Sequence, residues 1–401
     1  MRLFSIHMWA GVLGAALLGS SFCHATEFRG ELGIQQRFFS QSPLQSDQPD
    51  WQTSVYAEPE WLIDLSGIGA DFTFRPFLRW DSEDAERRSA DIREGLLRWT
   101  RQDWDLSLGI GQVFWGQMES INPVDLINQR DYREEVDGKT KLGQPMVSLA
   151  LWQSWGTTTF YVLPYFRERP YPGRDGRLRP MLPVLQDDPI YEDDDEARAI
   201  DGAVRWNHTL GNLDIGLSWF NGTTREPLLI PVIAEGEPAG LQPYYPLLTQ
   251  WGLDLLYIHN AWIWKLEAAY RDQQDEEFLT MVGGFERTLH AVLDSTADLG
   301  VLLEYQYDGR RNNTQILPQN DLFLGFRLAF NDTSGTEVLL GVTQDMDDDD
   351  ARYGFIKSSR RINEHWTWDL KAWWFSTDQS SQPLYSFRRD DFVEFSVKYH
   401  F

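Results

Sequence analysis

The stretch VEFSVKYHF, residues 393–401, sets Val393, Phe395, Val397, Tyr399 and Phe401 against Glu394, Ser396, Lys398 and His400. Unbroken period-two alternation is the pattern of a strand with one apolar and one polar face. The stretch stops on an aromatic residue with no turn chemistry after it. A strand in that position needs a partner for its free edge, and the rest of the sequence predicts that this partner is the first strand.

Working outward from it, the chain from Phe28 to Phe401 reads as short alternating segments punctuated by turn residues, the pattern of a membrane barrel. Eighteen are counted, near 27–39, 51–65, 69–80, 90–101, 104–114, 145–155, 157–167, 199–210, 213–221, 248–259, 262–273, 277–290, 297–308, 321–331, 336–345, 352–362, 366–375 and 391–401. Segments 277–290 and 352–362 alternate poorly, which leaves sixteen as the alternative count. Connections alternate in length: Ser66-Gly67-Ile68, Gln102-Asp103, Gly211-Asn212, Asn260-Ala261 and Asn363-Glu364-His365 are short, whereas 115–144, 168–198, 222–247, 309–320 and 376–390 are long. The expected fold is all-β, a closed antiparallel transmembrane barrel over 26–401 with short periplasmic turns and long extracellular loops.

Residues 1–25 carry Arg2, an apolar run from Trp9 to Leu18 and small residues near Ala25, and read as an export signal cleaved after Ala25. A lipid anchor on Cys23 is the competing reading, disfavoured by Phe22 before it. Cys23 is the only cysteine, so disulfides and thiolate metal sites play no part in the exported protein. Removing the leader takes away Arg2 and no acid, leaving 35 basic against 61 acidic side chains, which argues against nucleic acid as a partner. Tryptophan is expected in two belts, Trp99, Trp104, Trp155, Trp206, Trp262, Trp264, Trp366 and Trp368 at the periplasmic rim and Trp51, Trp80, Trp115, Trp219, Trp251, Trp373 and Trp374 at the outer rim.

With these features the chain resembles a Gram-negative outer-membrane β-barrel of the porin type over its whole exported length. Tyr399 and Phe401 are similar to the terminal signal read by the barrel-assembly machinery. Phe114-Trp115-Gly116 followed by Ile121-Asn122-Pro123-Val124-Asp125 loosely resembles a segment of uncharacterised proteobacterial outer-membrane proteins. The resemblance implies small solutes, outer-membrane lipid and lipopolysaccharide as partners, and a monomer or homotrimer.

If the apolar positions face lipid, Arg29, Arg37, Arg75, Arg79, Arg98, Asp254, Lys265, Glu267, Arg271, Glu304, Arg327, Asp369 and Lys371 face the lumen. Both signs line the wall, which suits either a hydrated pore or a structural network of ion pairs. Arg29, Arg37, Arg75, Arg79 and Arg98, on the first, third and fourth segments, form a candidate basic flank. The 115–144 loop is the candidate constriction or, alternatively, a lid. In it, Ser120 or Asn122 is placed to cap a short helix from Pro123, Val124, Ile127 and Val136 to pack inward, and Asp125, Arg130, Asp131, Arg133 and Glu134 to select solutes.

The 166–179 stretch is basic and followed by acids from Asp187 to Glu196, so it either binds an anion or, as expected, folds onto its own acidic half. Asp345 to Asp350 is an acidic run without the spacing of a defined calcium loop. The exported His residues, His208, His259, His290, His365 and His400, all fall at the periplasmic end, where no Ser/His/Asp constellation can be built, and no phosphate-loop or cofactor fingerprint appears. Only Thr26 and Glu27 precede the first segment, which leaves no room for a plug domain. The sequence therefore points to a passive channel, with a closed receptor or scaffold as the alternative and no cofactor, metal or enzymatic role.

Overall fold

The computed structural model describes residues 26–274, 276–310 and 319–401. The expected leader, 1–25, lies outside the described residues. In chain order the strands are β1 (Thr26–Phe39), β2 (Trp51–Leu65), β3 (Ala70–Asp81), β4 (Ser89–Thr100), β5 (Trp104–Gly111), β6 (Gln144–Gln153), β7 (Gly156–Leu163), β8 (Ile190–Tyr191), β9 (Asp201–Leu210), β10 (Leu213–Thr223) and β11 (Leu228–Ala234). They continue with β12 (Glu237–Tyr245), β13 (Leu247–His259), β14 (Trp262–Gln273), β15 (Glu276–Leu289), β16 (Asp298–Asp308), β17 (Asn320–Ala329), β18 (Glu337–Asp345), β19 (Arg352–Arg361), β20 (Trp366–Ser376) and β21 (Phe392–His400). All except β8, β11 and β12 belong to one 18-stranded antiparallel sheet that closes on itself.

Closure is made where the sequence places it. β1 pairs with β2 on one side and β21 on the other. Gly30 and Phe401 exchange two backbone hydrogen bonds of 3.1 Å, and the Phe28 and Phe401 rings meet at 5.1 Å. A Cβ at Gly30 would lie 2.6 Å from the Cα of Pro59, so this crowded seam requires glycine.

The alternation resolves as apolar outside and polar inside. On β21, Val393 and Phe395 are 44% and 46% exposed, whereas Glu394 and Ser396 between them are 3% and 4% exposed. A soluble barrel would have the reverse pattern, and only a bilayer makes an outward apolar band favourable. The poorly alternating segments are full strands, β15 and β19. Their alternation is weak because Phe278, Val282 and Phe355 are buried on the inner face, and Phe355 joins an apolar cluster with Leu302, Phe323 and Trp373.

Two expectations need correction, and one long connection carries structure of its own. Within 222–247, β11 and β12 form a hairpin turning at Glu235 and Gly236, and β8 adds to β12 in parallel. Prolines hide it: Pro231 lies on β11, an edge strand, and Pro238 and Pro243 lie on β12 outside Tyr244 and Tyr245, the two residues that pair with β8. The 166–179 stretch does not fold onto its own acidic half, since Arg167 pairs with Asp91 at 2.8 Å and Arg177 with Asp390 at 2.9 Å. Trp51, Trp80 and Trp251 are exposed at the long-loop rim and Trp155, Trp264 and Trp366 at the short-turn rim, but Trp115 and Trp373 are buried inside.

Candidate functional site

The chain between Gly111 and Gln144, joining β5 to β6, runs inside the barrel. It has almost no secondary structure of its own, so its backbone donors need partners elsewhere, and inward carboxylates of distant strands supply them. Glu267 on β14 accepts from the N–H groups of Gln117 (2.6 Å) and Met118 (3.3 Å). Glu304 on β16 accepts from the N–H groups of Glu119 (2.9 Å) and Ser120 (2.8 Å) and from the Ser120 hydroxyl (2.5 Å). Both wall residues are fully buried under the loop.

Charge pairs extend the attachment around the wall. Arg327 on β17 reaches Glu119 at 2.6 Å, Lys357 on β19 reaches Asp137 at 2.7 Å, Lys371 on β20 holds Glu135, and Arg79 on β3 holds Glu134 at 2.7 Å. Arg93 on β4 lies 3.6 Å from Asp131, which also takes Arg133 at 2.9 Å. Between β6 and β13 the attachment is apolar: Trp115, Val124, Leu126 and Ile127 pack on Met146, Leu163, Ala203, Phe220 and Leu248. Val136 packs against the second apolar cluster.

The helix expected at Pro123 is absent, replaced by a single turn in which the Asp125 N–H donates to the Asn122 carbonyl at 3.2 Å. Its capping groups serve tertiary partners instead. The Asn122 side chain accepts from the N–H of Met118, and Asp125 accepts from the N–H of Trp115 at 3.1 Å and pairs with Lys141 at 2.6 Å. Gly116 makes the turn possible, with φ of +137° and no room for a Cβ, which would sit 2.2 Å from Asn122 Oδ1.

The remaining predicted site residues also meet partners. Arg37 pairs with Glu394 at 2.6 Å, Arg75 with Glu58 at 3.5 Å and Glu94 at 3.7 Å, Asp254 with Arg205 at 2.8 Å, Lys265 with Glu286 at 3.5 Å and Asp369 with Lys398 at 2.8 Å. Arg271 holds Glu226 at 3.1 Å and the Pro123 carbonyl at 3.0 Å. Arg130 approaches Asp125 only to 4.0 Å. Arg29, at the short-turn rim, is exposed and bonded to Glu60 at 2.7 Å, and Arg98 is exposed opposite Asp71 and Ser107. Of the five arginines of the candidate basic flank, Arg29, Arg37, Arg75 and Arg79 thus face carboxylates. Glu119, Glu135, Asp137, Lys139 and Lys141 were not singled out from sequence, although the charge density of 133–141 marks the segment.

Between the loop segments 112–114 and 134–141 and the wall of β1–β4, β20 and β21 lies a cavity of about 430 Å³. Glu31, Glu58 and Asp369 and Arg79, Lys371 and Lys398 line it, with Tyr56 and Phe77 between them. Its size suits a small polar molecule.

Burial alone would raise the Glu135 carboxyl, but Lys371 and then Lys357 more than reverse this and hold it at about 2. Because the folded value lies below the unfolded value of about 4.3, this attachment contributes fully above that pH and is lost as pH falls toward 2. Hydrogen-exchange protection at residues 134–138, relative to an unstructured chain at the same pH, is therefore expected to hold from pH 7 to 4 and to fall only below about pH 3. Protection already lost at pH 5 would mean that the Lys371 contact does not hold the loop.

No family model matches this chain and no curated protein is similar to it. Among solved structures, a triply substituted porin of Rh. blastica is 11% identical, covers 94% of this chain and 100% of its own, and has a TM-score of 0.45. A doubly substituted form of the same porin is 12% identical with the same coverage and a TM-score of 0.44. Likeness that distant has no bearing on solute or mechanism; the architecture rests on the strand pairing itself.

Proposed function

We propose that the protein is an outer-membrane channel for passive diffusion of small hydrophilic solutes, exported by the 1–25 leader and narrowed by the 115–144 loop. The supporting observation is the loop's path through an inside-out barrel, which leaves a charged cavity of about 430 Å³ beside it. In this reading the short-turn rim faces the periplasm and the long loops face outward. Solutes pass the cavity, where Arg79, Glu134, Asp369 and Lys371 set preference and where bulk hydration is replaced by fixed charges of both signs. The reading needs no catalytic group and no cofactor.

A second reading, a ligand receptor or scaffold with a closed lumen, is favoured by the pairing of most luminal charges and by the two apolar clusters inside. Single-channel conductance of the refolded protein in a planar bilayer under a KCl gradient separates them. Steady conductance with selective block by a sugar or a dicarboxylate supports the channel. Silence from a protein with heat-modifiable migration on a gel supports the closed barrel.

Tyr399 and Phe401 are proposed as the signal for the assembly machinery. Deleting Phe401 removes two seam hydrogen bonds and the ring contact with Phe28, and is expected to lower the heat-modifiable fraction in outer membranes several-fold. Unchanged assembly of the truncated chain would remove this part of the reading.

A further inference from the structure

At the long-loop ends of β10, β14 and β16, two guanidinium groups hold one carboxylate, and two more lie near enough for their charge to act on it. Glu226, just after β10, accepts from Arg271 at 3.1 Å and from Arg310, just after β16, at 3.2 Å, both on the same oxygen. Arg169 and Arg130 add their fields. Burial would raise the Glu226 carboxyl, yet Arg271, Arg310, Arg169 and Arg130, in that order, hold it far below the usual carboxylate range.

Among the described residues the positive charge is not balanced locally. Arg310 shares Asp308 at 2.7 Å, and Arg130 reaches Asp125 only at 4.0 Å, where Lys141 already lies at 2.6 Å. Arg169 has neutral partners: Gln129 Oε1 at 3.1 Å, the carbonyl of Arg225 and the face of Tyr132 at 4.9 Å. Among the described residues no ion pair holds it. Arg225 itself is neutralised by Asp201 at 2.5 Å. Among the described residues, Arg271, Arg310, Arg169 and Arg130 thus stand against Glu226 and Asp308, with Asp125 shared between Arg130 and Lys141, an excess of two positive charges.

Accessibility gives the arrangement its direction. The Glu226 side chain keeps 40% of its exposure, whereas that of Arg271 beneath it keeps 4%. A reachable carboxylate seated on buried planar donors occupies the position an incoming oxyanion would take, and guanidinium forks match carboxylate and phosphate oxygens in pairs.

We propose that the cluster of Arg130, Arg169, Arg271 and Arg310 is a binding site for small oxyanions, carboxylate or phosphate, with Glu226 as a resident competitor. Binding itself does not depend on the channel reading. Only the corollary does, that anionic solutes pause here before reaching the loop.

The test uses full-length protein refolded in detergent without lipopolysaccharide, titrated calorimetrically with inorganic phosphate and with succinate, alongside block of the bilayer current by the same anions. Arg169→Gln is expected to weaken binding about tenfold and Glu226→Gln to strengthen it about tenfold, the scale of one charge-assisted hydrogen bond. Glucose should be indifferent to both changes. If Glu226→Gln does not fold, Arg169→Gln carries the test, since no described ion pair depends on Arg169. Absence of binding in the unaltered protein, or affinities that ignore both substitutions, overturns the site. Binding by a folded protein that does not conduct retains the site and overturns the channel, whereas conduction without binding does the reverse. Loss of phosphate binding on adding purified lipopolysaccharide would assign the cluster to a lipid headgroup and overturn it as a solute site.

Discussion

Replacing Asp81 by Ala is expected to destabilise the folded barrel by about 3–5 kcal/mol, the cost of stripping a buried cation of its partner. Asp81 ends β3 at the long-loop rim and is fully buried. It accepts from Gln52 at 3.1 Å, Ser54 at 2.6 Å, Arg87 at 3.0 Å and the N–H groups of Glu83 and Asp84 at 3.0 Å each. Removal leaves Arg87 buried, with Gln35 at 3.0 Å, the Ser54 hydroxyl at 3.5 Å and the Arg133 carbonyl as its remaining hydrogen-bond partners. Because the Arg133 carbonyl belongs to the inner loop, the substitution also loosens the loop from the wall. Asp81→Asn keeps the shape and some acceptors, so its cost should be smaller, about 2 kcal/mol. Urea unfolding in lipid vesicles, followed by tryptophan fluorescence, reads both. A midpoint for Asp81→Ala equal to that of the unaltered protein would show that water replaces the carboxylate and that the knot is not stabilising.

How much of this was legible in the sequence follows from how local each signal is. Strand alternation is local, and all eighteen predicted segments correspond to barrel strands. It faded at β15 and β19 because Phe278 and Val282, buried on the inner face, and Phe355, in an interior apolar cluster, stand where polar residues were expected. The β11–β12 hairpin was hidden by prolines on the edge strand β11 and on the part of β12 that β8 does not pair. The interior path of the 112–143 chain was not legible as geometry, since its partners Glu267 and Glu304 lie about 150 and 185 residues away. The same holds for luminal charges. Parity puts Arg37 inside, but only closure of the barrel brings Glu394, 357 residues distant, against it. Sequence thus predicts facing, whereas neutralisation depends on register and on the course of the loop.

Excising residues 117–139 and joining Gly116 to Thr140 with a short flexible linker is expected to raise single-channel conductance roughly threefold or more, because a barrel of this strand number encloses a wide lumen once nothing fills it. The segment carries six acids, Glu119, Asp125, Asp131, Glu134, Glu135 and Asp137, against three bases, Arg130, Arg133 and Lys139. Its loss therefore makes the lumen more positive by three charges and frees Arg79, Arg327, Lys357 and Lys371 from their loop partners. The reversal potential under a KCl gradient should shift toward chloride. Width and sign are separate readouts. A wider path without the shift would mean that wall carboxylates released from the loop, Glu267 and Glu304, restore the balance. A shift without greater conductance would mean that the apolar cluster on Phe323, Phe355 and Trp373 or the outer loops narrow the path instead. Excision also uncovers Met146, Leu163, Phe220 and Leu248 to water, so folding must be checked by heat-modifiable migration. The paired change Glu267→Gln and Glu304→Gln is the milder companion, because it keeps the chain length and weakens five hydrogen bonds that pin residues 117–120. If that variant gives a noisier current of the same mean, the loop narrows the pore by its bulk. If it gives the same quiet current, the charge pairs at 134–137 and the apolar seat of Val124 and Ile127 hold the loop without those carboxylates.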